Sequence, residues 1–508
     1  MGFGWLCLVP IWHTPDEQAH FSQVAFLVEN GRNAWSTEMD VTKEIYVTEQ
    51  LLGTARDRNG NNKFTFHPEF KIEYTDSSTG KYEASISALT STNAKNVFVF
   101  QESTRYPLSY YIPATWIYKY FYNKDIFIKV FAIRIWSLFL FIFNILVIYK
   151  LGELLFPKNK FLALTTAILV GFQPMMVFSN IGVTSDSLAN FIFSLFIYLC
   201  LRLIMLKVNL KNVTSLIFVS YLAINTKIQF IIILPIIIFL FLFLTLREIK
   251  DVKKKILVIV ALIFIASGLF IYLKVIKFDS FIFALSSLKK ININSLLKYT
   301  WEYTFPHTYK EVIPWYWGVY DWLGVTYPRI VYKIINGITL VSITGFIFWF
   351  ISVLHRRLWS DRNIQGVFLL LGISLFYYLA ISVYDWLSWY QSGFQLGVQG
   401  RYFFPTISVH MVVIIIGIKN LTYAKYKLQK GCLLALGLLM IIFNFLGLYT
   451  IAKTYYDVIN TQRFVWQIGQ YKPFFAKAPY IISLFFLYFL ILILFLHLYI
   501  KLYKNEKN

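Results

Sequence analysis

Long apolar runs separated by short polar connections dominate the sequence and leave it few ways to fold. A run of about 20 apolar residues crosses a bilayer as a helix, because a helix satisfies its own backbone hydrogen bonds in lipid. Charged residues make up only 15% of the 508-residue chain, against roughly 25% in soluble domains. Runs long enough to span a membrane lie at about 127–149, 161–180, 187–206, 213–226, 229–246, 256–276, 332–354, 364–384, 403–418, 432–451 and 480–500. The sequence therefore predicts an all-α, polytopic membrane protein.

The stretch 213–246 decides the topology. As one straight helix it would be about 51 Å long, well beyond a hydrocarbon core of roughly 30 Å, whereas a split near Lys227 gives two short spans. With the segment "WHTPDEQAH" (12–20) outside, the split places every Lys- and Arg-rich connection inside, as the positive-inside rule requires. These inner connections are 150–160, 201–212, 247–255, 355–363, 419–430 and the tail from Lys501. We therefore expect about twelve spans in a cell membrane, counting a partial first helix, with both termini cytoplasmic.

Four polar segments remain on the outer side of this topology. The long first loop, 13–105, carries an acidic motif, 277–331 forms a second long loop, and the shorter segments are 385–402 and 452–479. No internal repeat and no separate soluble domain accompany them, so residues 1–508 read as one membrane domain with structured outer loops.

The net charge of +22 does not indicate a nucleic-acid partner. The basic residues recur in short clusters between apolar runs, as orientation signals do, and form no single patch. The three cysteines, Cys7, Cys200 and Cys432, lie far apart inside apolar segments, which favours buried thiols over a disulfide framework or a metal site. The stretch before Pro10 is too short to span a bilayer and has no basic region of a signal peptide. The true start is then further upstream, or the first helix is cut short.

Adjacent carboxylates, Asp16 and Glu17, stand where this first apolar stretch ends. One interpretation is structural: Thr14 as N-cap and Glu17 at the third helical position form a capping box, opening an amphipathic helix over 15–30 on the outer interface, with Gly31 as its terminator. The acids then complement the helix dipole. The other interpretation is chemical, because a carboxylate kept ionised in the first turn of a helix can act as a general base.

Two histidines, His13 and His20, flank the acidic pair. Their spacing does not match the HExxH motif of zinc proteases, and a metal site there is the weaker alternative. The sequence neither requires nor excludes a divalent metal ion.

Other polar residues fall on the same predicted outer face. Each has a structural explanation, because Arg and Lys snorkel and a lone acid can cap a helix. Their shared placement is what indicates a site, since the inner connections offer only scattered Lys and Arg. The residues concerned are Arg105, Asn180, Asp186, Lys227 and Arg401.

Five motifs give the sequence a family resemblance. They are "PDEQAH" (15–20), "YPLSYY" (106–111), "SNIGVTSDSLAN" (179–190), "WYWGVYDWLGVTYP" (315–328) and "QGRYFFP" (399–405). In this order they resemble the GT-C superfamily of polyprenyl-phosphate-sugar glycosyltransferases. The resemblance is greatest to a branch of prokaryotic predicted membrane proteins related to protein O-mannosyltransferases and lipid A aminoarabinose transferases.

The resemblance implies a GT-C-like bundle with interfacial helices in its first outer loop. It also implies an inverting displacement on the outer face. Asp16 matches the catalytic carboxylate of the superfamily, and Glu17 is the neighbouring acid, assigned with it to the catalytic pair. The donor phosphate would bind Arg401 first, with Arg105 and Lys227 as further candidates. His20, Asn180 and Asp186 would orient the site. The sequence departs from the family pattern in the stub that precedes the acidic motif.

The implied partners are a polyprenyl-phosphate-linked sugar donor, a lipid, glycan or protein acceptor, and membrane lipids. Neither the sugar nor the polyprenol is specified. The main alternative is a transporter or flippase for a lipid-linked or polar solute. Such proteins place polar groups near the bilayer midplane and contain repeated, broken helices. A polysaccharide polymerase or ligase and a non-catalytic scaffold are further alternatives.

Overall fold

The computed structural model of the chain describes residues 1–33, 38–56, 76–89, 95–100, 102–157, 159–206, 208–260, 292–422, 426–477 and 480–505. Helices dominate these residues and are numbered here in chain order. They are α1 (Gly2–Leu8), α2 (Glu17–Asn30), α3 (Lys43–Leu51), α4 (Asp76–Ser87), α5 (Tyr111–Tyr120), α6 (Ile126–Leu155), α7 (Lys160–Gly171), α8 (Pro174–Asn180), α9 (Asp186–Met205), α10 (Leu210–Ile224), α11 (Ile233–Glu248), α12 (Ile293–Tyr299), α13 (Phe305–His307), α14 (Ile313–Trp317), α15 (Arg329–His355), α16 (Arg362–Ser392), α17 (Ile407–Leu421), α18 (Tyr426–Tyr455), α19 (Thr461–Ile468) and α20 (Tyr480–Asn505). A further helical stretch covers 252–260.

Two small antiparallel strand pairs accompany the helices. Strand β1 (Glu38–Thr42) pairs with β2 (Lys95–Phe100) in the first loop, and β3 (Val319–Tyr320) pairs with β4 (Val325–Thr326) in a tight hairpin. Within the described ranges the architecture is thus all-α, as the apolar runs predict, with two minor strand pairs added in the connections.

Eight helices among the described residues are long and apolar enough to cross a membrane. They are Ile126–Leu155, Asp186–Met205, Ile228–Glu248, Arg329–His355, Arg362–Ser392, Gly400–Leu421, Tyr426–Tyr455 and Tyr480–Asn505. The prediction of a multi-pass membrane protein is confirmed. Of the other expected spans, 161–180 is the pair α7 and α8, bent by 62°, and 213–226 is the shorter helix α10. Most of 256–276 lies outside the described residues.

The interruption between α7 and α8 has a local cause. Pro174 stands at the start of α8, where it has no N–H to continue α7, and Gln173 caps the new helix by accepting from the Met176 N–H. In the stretch 213–246, α10 ends at Ile224 and a 3₁₀ turn begins at Ile228, so the helix breaks where the sequence analysis places the split.

Three of the predicted inner connections meet at one end of the bundle. Arg247, in the last turn of α11, donates to the Ile204 carbonyl at 3.2 Å and to Gln365 Oε1 at 2.8 Å. Arg362 donates to the Met205 carbonyl at 3.4 Å. Asp186 lies at the opposite end of α9, about 30 Å away for a 20-residue helix.

The acidic motif folds differently from the capping-box expectation. Helix α2 begins at Glu17 with Asp16 as N-cap, and the Thr14 hydroxyl has no hydrogen-bond partner among the described residues. Nine of the 14 residues of α2 are buried, because α5 and strand β1 cover it. The expected helix therefore forms, but it is largely buried within the protein, and its place on the outer interface stays a prediction. Gly31 ends the helix in a left-handed conformation, φ 64°, as expected.

Helices α12, α13 and α14 form one continuous segment, 293–317, because two π-helical turns, Thr300–Thr304 and Thr308–Val312, join them. A π turn contains more residues than an α turn, so exposed side chains recur at every fourth position along one face. In a plain α-helix of 3.6 residues per turn such a row would drift around the axis. The exposed row consists of Ile293, Leu297, Trp301, Phe305, Tyr309 and Ile313.

Candidate active site

Four charged side chains from distant parts of the sequence meet in what we call the ionic cluster: Asp16, Asp186, Lys227 and Arg401. Arg401 Nη2 donates to Asp16 Oδ2 at 2.7 Å. Arg401 Nη1 lies 3.8 Å from Asp186 Oδ2, and the Lys227 ammonium pairs with Asp186 Oδ1. Carboxylates and cations therefore alternate along the cluster, which ends in a carboxylate at Asp16 and in a cation at Lys227.

Each member of the ionic cluster stands where a helix begins. Asp16 is the N-cap of α2 and Asp186 is the first residue of α9. Lys227 and Arg401 lie at the 3₁₀ turns that lead into α11 and α17. Because the first N–H groups of a helix are unpaired, these ends carry partial positive charge. The helix starts therefore stabilise the two carboxylates of the cluster.

The ionic cluster is open at only one member. The Asp16 side chain is 51% exposed, whereas that of Arg401 is 6% exposed. The side chains of Lys227 and Asp186 are 10% and 13% exposed. Attractions between buried charges are stronger than those between charges in water, so the three inner members hold one another. An incoming ligand meets Asp16 first.

Glu17 lies next to Asp16 in sequence but in another environment. Its side chain is fully buried and forms a two-point ion pair with Arg134 of α6, with nitrogen–oxygen distances of 2.7 and 2.6 Å. It also accepts from the backbone N–H groups of Trp12 at 2.9 Å and Val183 at 3.1 Å. Both carboxylate oxygens are thus engaged, and Glu17 ties the acidic motif to α6 and to the turn before α9.

The backbone conformation at Asp16 explains why the side chains of the two adjacent acids lie in different environments. Asp16 has φ 56°, a left-handed conformation that Asp adopts more readily than most residues. The side chains of Asp16 and Glu17 consequently reach different partners, the exposed one Arg401 and the buried one Arg134.

His20 lies one helical turn after Asp16 and is buried against two tyrosines. Its Nδ1 is 2.6 Å from the Tyr111 hydroxyl, and its ring stacks on Tyr106 at 5.6 Å. Burial lowers the pKa of His20 to about 4, although Asp16 and Asp186 oppose the shift. Burial also raises the pKa of Tyr111 well above its usual value. Both groups are therefore neutral near pH 7, and one hydrogen bond joins the ring to the Tyr111 hydroxyl.

Tyr106 also borders the ionic cluster. The Lys227 ammonium lies over the Tyr106 ring, 5.4 Å from its centroid, a cation–π contact. The motif "YPLSYY" therefore contributes a wall to the cluster through Tyr106 and a partner for His20 through Tyr111.

Glycines permit the close approach of the motifs. A Cβ at Gly182, in "SNIGVTSD", would lie 2.0 Å from Oγ1 and 2.6 Å from Cβ of Thr14. A Cβ at Gly400, next to Arg401, would lie 2.1 Å from the backbone nitrogen of Tyr316. The Thr184 N–H donates to the Tyr110 hydroxyl at 3.1 Å. All five quoted motifs thus pack against one another around the ionic cluster.

Two further residues singled out in the sequence, Asn180 and Arg105, have no described side-chain contact with the ionic cluster. Asn180 is fully buried; its amide donates to the Met176 carbonyl at 2.7 Å and its oxygen accepts from Asn190 at 3.1 Å. The backbone of Arg105 ends the 3₁₀ turn before Tyr106, but its side chain lies outside the described part of the chain.

Among the described residues, no group of three or more His, Cys, Asp or Glu side chains is arranged to hold a metal ion. His13 is buried, with Nδ1 2.9 Å from the Ile11 carbonyl and its ring edge-on to Tyr455 at 4.8 Å. Its contacts differ from those of His20, so the structure does not join the two flanking histidines.

Sequence reasoning missed several residues that shape the site. Arg134 is one, and it carried a signal, because a cation inside a predicted span requires a partner. The same holds for Lys129, which pairs with Glu44 of the first loop at 2.7 Å, both side chains fully buried. Gln399, which accepts from Arg401 Nε at 3.0 Å, gave no signal beyond its place in a motif.

The helices and the ionic cluster define the class: a multi-pass helical membrane protein with a charged site at one end of its bundle. The chain belongs to the family of predicted membrane proteins DUF2142, whose model matches residues 1–410. No curated protein matches the sequence.

Solved structures give a distant likeness. One is the oligosaccharyltransferase AglB from Archaeoglobus fulgidus in complex with an inhibitory peptide and a dolichol-phosphate. It shows 10% identity and a TM-score of 0.36 over 87% of this chain and 56% of that chain. The apo form of the oligosaccharyltransferase from the same organism shows 12% identity and a TM-score of 0.39, over 87% and 56%. The chain thus spans about half the length of these structures. Both TM-scores are low, and such a likeness does not establish a shared fold.

Proposed function

We propose that the protein is a membrane glycosyltransferase. It moves a sugar from a polyprenyl-phosphate donor to an acceptor, with inversion at the anomeric carbon, and Asp16 is the general base. The observation that carries this proposal is the contact of Asp16 with Arg401 in the ionic cluster. It joins a half-exposed carboxylate to two buried cations within the reach of one sugar phosphate.

The donor phosphate binds between Arg401 and Lys227. A phosphodiester carries one negative charge, and a guanidinium in a preorganised, largely buried site binds such oxygens with two N–H groups. Asp186 contacts both cations and keeps them in place without a ligand. The helix starts at α9 and α17 add partial positive charge to the same place.

In the transfer step the acceptor hydroxyl oxygen attacks the anomeric carbon. The bond from that carbon to the phosphate oxygen breaks, and the new glycosidic bond forms on the opposite face. The hydroxyl proton goes to Asp16, and the polyprenyl phosphate leaves with the electron pair. Charge increases on the leaving phosphate, so Arg401 and Lys227 bind it more strongly in the transition state than in the ground state.

The ion pair between Asp16 and Arg401 also sets the order of binding. Without a donor, Asp16 is engaged with the guanidinium. The donor phosphate competes for Arg401 and releases Asp16, so the base becomes free once the donor is in place. The exposure of Asp16 leaves it room to turn toward an acceptor.

The remaining site residues take supporting roles. Glu17 is a positioning residue that holds the acidic motif on Arg134, and it does not share the catalytic role assigned to it from the resemblance. His20 supports Asp16 from one helical turn away. Asn180 fixes the start of α9 through Asn190. Arg105 remains a candidate for the donor phosphate because it precedes Tyr106.

The site faces the extracytoplasmic side in this proposal. The basic connections 201–212, 247–255 and 355–363 meet at the end of the bundle opposite Asp186. The positive-inside rule assigns such clusters to the cytoplasm. The ionic cluster then opens to the extracytoplasmic side. In this proposal polyprenyl-linked sugars are presented on that side.

The test is sugar transfer by the purified full-length protein in vesicles, with polyprenyl-phosphate hexoses as donors and release of polyprenyl phosphate as the readout. Asp16→Asn should lower the rate by about 10²–10⁴, the usual contribution of a general base, at unchanged insertion and thermal stability. Glu153→Gln, which neutralises a partly exposed acid paired with Lys150, is the matched control. A fully active Asp16→Asn variant removes the assigned base, and movement of the donor across the bilayer without transfer indicates a flippase.

A further inference from the structure

An apolar groove lies far from the ionic cluster, between α9, α11 and α16. Its volume is about 540 Å³, within the range of small-molecule sites. Four phenylalanines and a tryptophan wall the groove: Phe239, Phe243, Phe368, Phe376 and Trp359. Trp359 stacks on Phe368 at 5.3 Å. The groove therefore has a shaped aromatic wall in addition to the usual lipid-facing side chains.

The mouth of the groove is basic. Arg247 and Arg362 stand at its rim, where both contact the carbonyl end of α9. Glu248 pairs with both, at 2.6 Å and 3.6 Å, and so neutralises only one of them. The two connections that border the mouth, 247–255 and 356–362, hold eight Lys and Arg residues against three acids. The surplus of positive charge lies where the groove reaches the end of the helices.

We propose that this groove binds an anionic phospholipid of the surrounding membrane. Its acyl chains occupy the aromatic-walled groove, and its phosphate pairs with Arg362, whose side chain is 44% exposed, and with the neighbouring lysines. The apolar walls of the groove complement the acyl chains of such a lipid, and the surplus of cations at the mouth complements its charged headgroup. A zwitterionic lipid offers the same chains but no net charge for the rim.

The donor of the proposed transfer reaction is a poor occupant of this groove. The groove borders Ile204 near the end of α9, whereas Asp186 begins that 20-residue helix, so about 30 Å separates the two places. The inference therefore does not rest on the proposed function.

One glycine makes the groove testable without disturbing the helices. Gly372 lines the groove, and a Cβ there would meet no heavy atom within 4 Å. Gly372→Phe should fill the groove from its own wall. A Cβ at Gly337 of α15 would also meet no heavy atom within 4 Å, but this glycine lies outside the groove, so Gly337→Phe is the matched control.

The experiment is native mass spectrometry of the full-length protein in neutral detergent, titrated with 1-palmitoyl-2-oleoyl phosphatidylglycerol or the corresponding phosphatidylcholine. Phosphatidylglycerol should be retained preferentially, and Gly372→Phe, but not Gly337→Phe, should abolish the preference. Arg362→Gln should weaken retention about fivefold, as expected for one cation near an anionic headgroup, whereas Arg329→Gln, remote from the groove, should not.

Equal retention of the two lipids overturns the proposal, as does a loss that is the same for both glycine variants. If the melting temperature shows that Gly372→Phe does not fold, the comparison of Arg362→Gln with Arg329→Gln tests the proposal. Unchanged retention in Arg362→Gln then refutes the site. Binding of a polyprenyl phosphate in the groove at the expense of phosphatidylglycerol also overturns the assignment of the occupant.

Discussion

Asp16 and Arg401 are separated by 385 positions in the sequence, and their side chains are 2.7 Å apart. This contact joins two distant parts of the chain in the site, because Asp16 belongs to the first loop and Arg401 to the turn before α17. A carboxylate and a guanidinium so far apart in the chain meet only if the whole bundle between them is correctly packed. The pair therefore connects the fold to the proposed chemistry.

Arg401→Gln is expected to impair donor use. Losing one electrostatic contact to a developing charge in a preorganised site costs roughly 3–4 kcal/mol, about 10²–10³ in rate. Both kcat and the apparent donor affinity should fall, because the guanidinium binds the phosphate before and during transfer. Arg401→Lys should recover only part of the loss, since an ammonium lacks the planar fork. Steady-state transfer kinetics with varied donor measure both effects, and unchanged donor kinetics would exclude Arg401 from the phosphate site.

Glu17→Gln should destabilise the protein, in contrast to Asp16→Asn. Removing one partner of a fully buried ion pair typically costs about 3–5 kcal/mol, because the other charge is left unpaired. The double variant Glu17→Gln with Arg134→Met should recover part of this loss. Thermal unfolding in detergent provides the measurement. A Glu17→Gln protein with the original melting temperature and no transfer activity would instead return Glu17 to the catalytic machinery.

Gly182→Ala should force apart the acidic motif and the turn before α9. The added methyl group would lie 2.0 Å from the Thr14 hydroxyl oxygen, and overpacking of this kind costs about 1–3 kcal/mol. Transfer should fall with stability, since Val183 of this turn also donates to Glu17.

A second substitution separates the clash from other causes. Thr14→Gly removes the atoms that the new methyl group would meet, so the double variant should regain stability and activity. Gly337→Ala, where the methyl group enters open space, is the control. If Thr14→Gly gives no rescue, the close approach is not the reason for the loss.

The sequence predicted the spans and the members of the site better than their geometry. Charge patterning placed the break near Lys227, and the shared outer face predicted that Asp186, Lys227 and Arg401 would meet. The capping-box prediction was wrong because the turn before α2 is held by the ion pair of Glu17 with Arg134. This tertiary contact cannot be read from local residue spacing. For the same reason the left-handed backbone at Asp16 was not predictable.

Acid should destabilise the protein partly through His20. Burial lowers the pKa of His20 to about 4 in the folded protein, whereas an unfolded chain has a histidine pKa of about 6.5. As the pH falls from 6.5 to 4, the unfolded state takes up a proton that the folded state does not, which removes up to about 3 kcal/mol of stability.

The melting temperature of His20→Gln should therefore fall less between pH 7.5 and pH 4.5 than that of the unaltered protein. Tyr111→Phe, which keeps the histidine buried but removes its hydrogen-bond partner, should retain the acid sensitivity. Identical pH dependence with and without His20 would show that its burial does not affect the acid response.

The two π turns of the segment 293–317 determine which of its side chains are exposed. This depends on the number of residues in the segment as well as on their types. Each α-helical residue turns the helix by about 100°, so deleting one residue from the second π turn, Thr308–Val312, would rotate everything before it relative to Trp315 and Tyr316. The row from Ile293 to Phe305 would then leave its exposed side, and Tyr299 would lose the Asp385 carboxylate that its hydroxyl contacts at 2.9 Å. Such a segment accepts many substitutions but few changes in length. Homologous chains should therefore keep the number of residues between Ile293 and Tyr316, which packs against Gly400, constant even where the residue types differ.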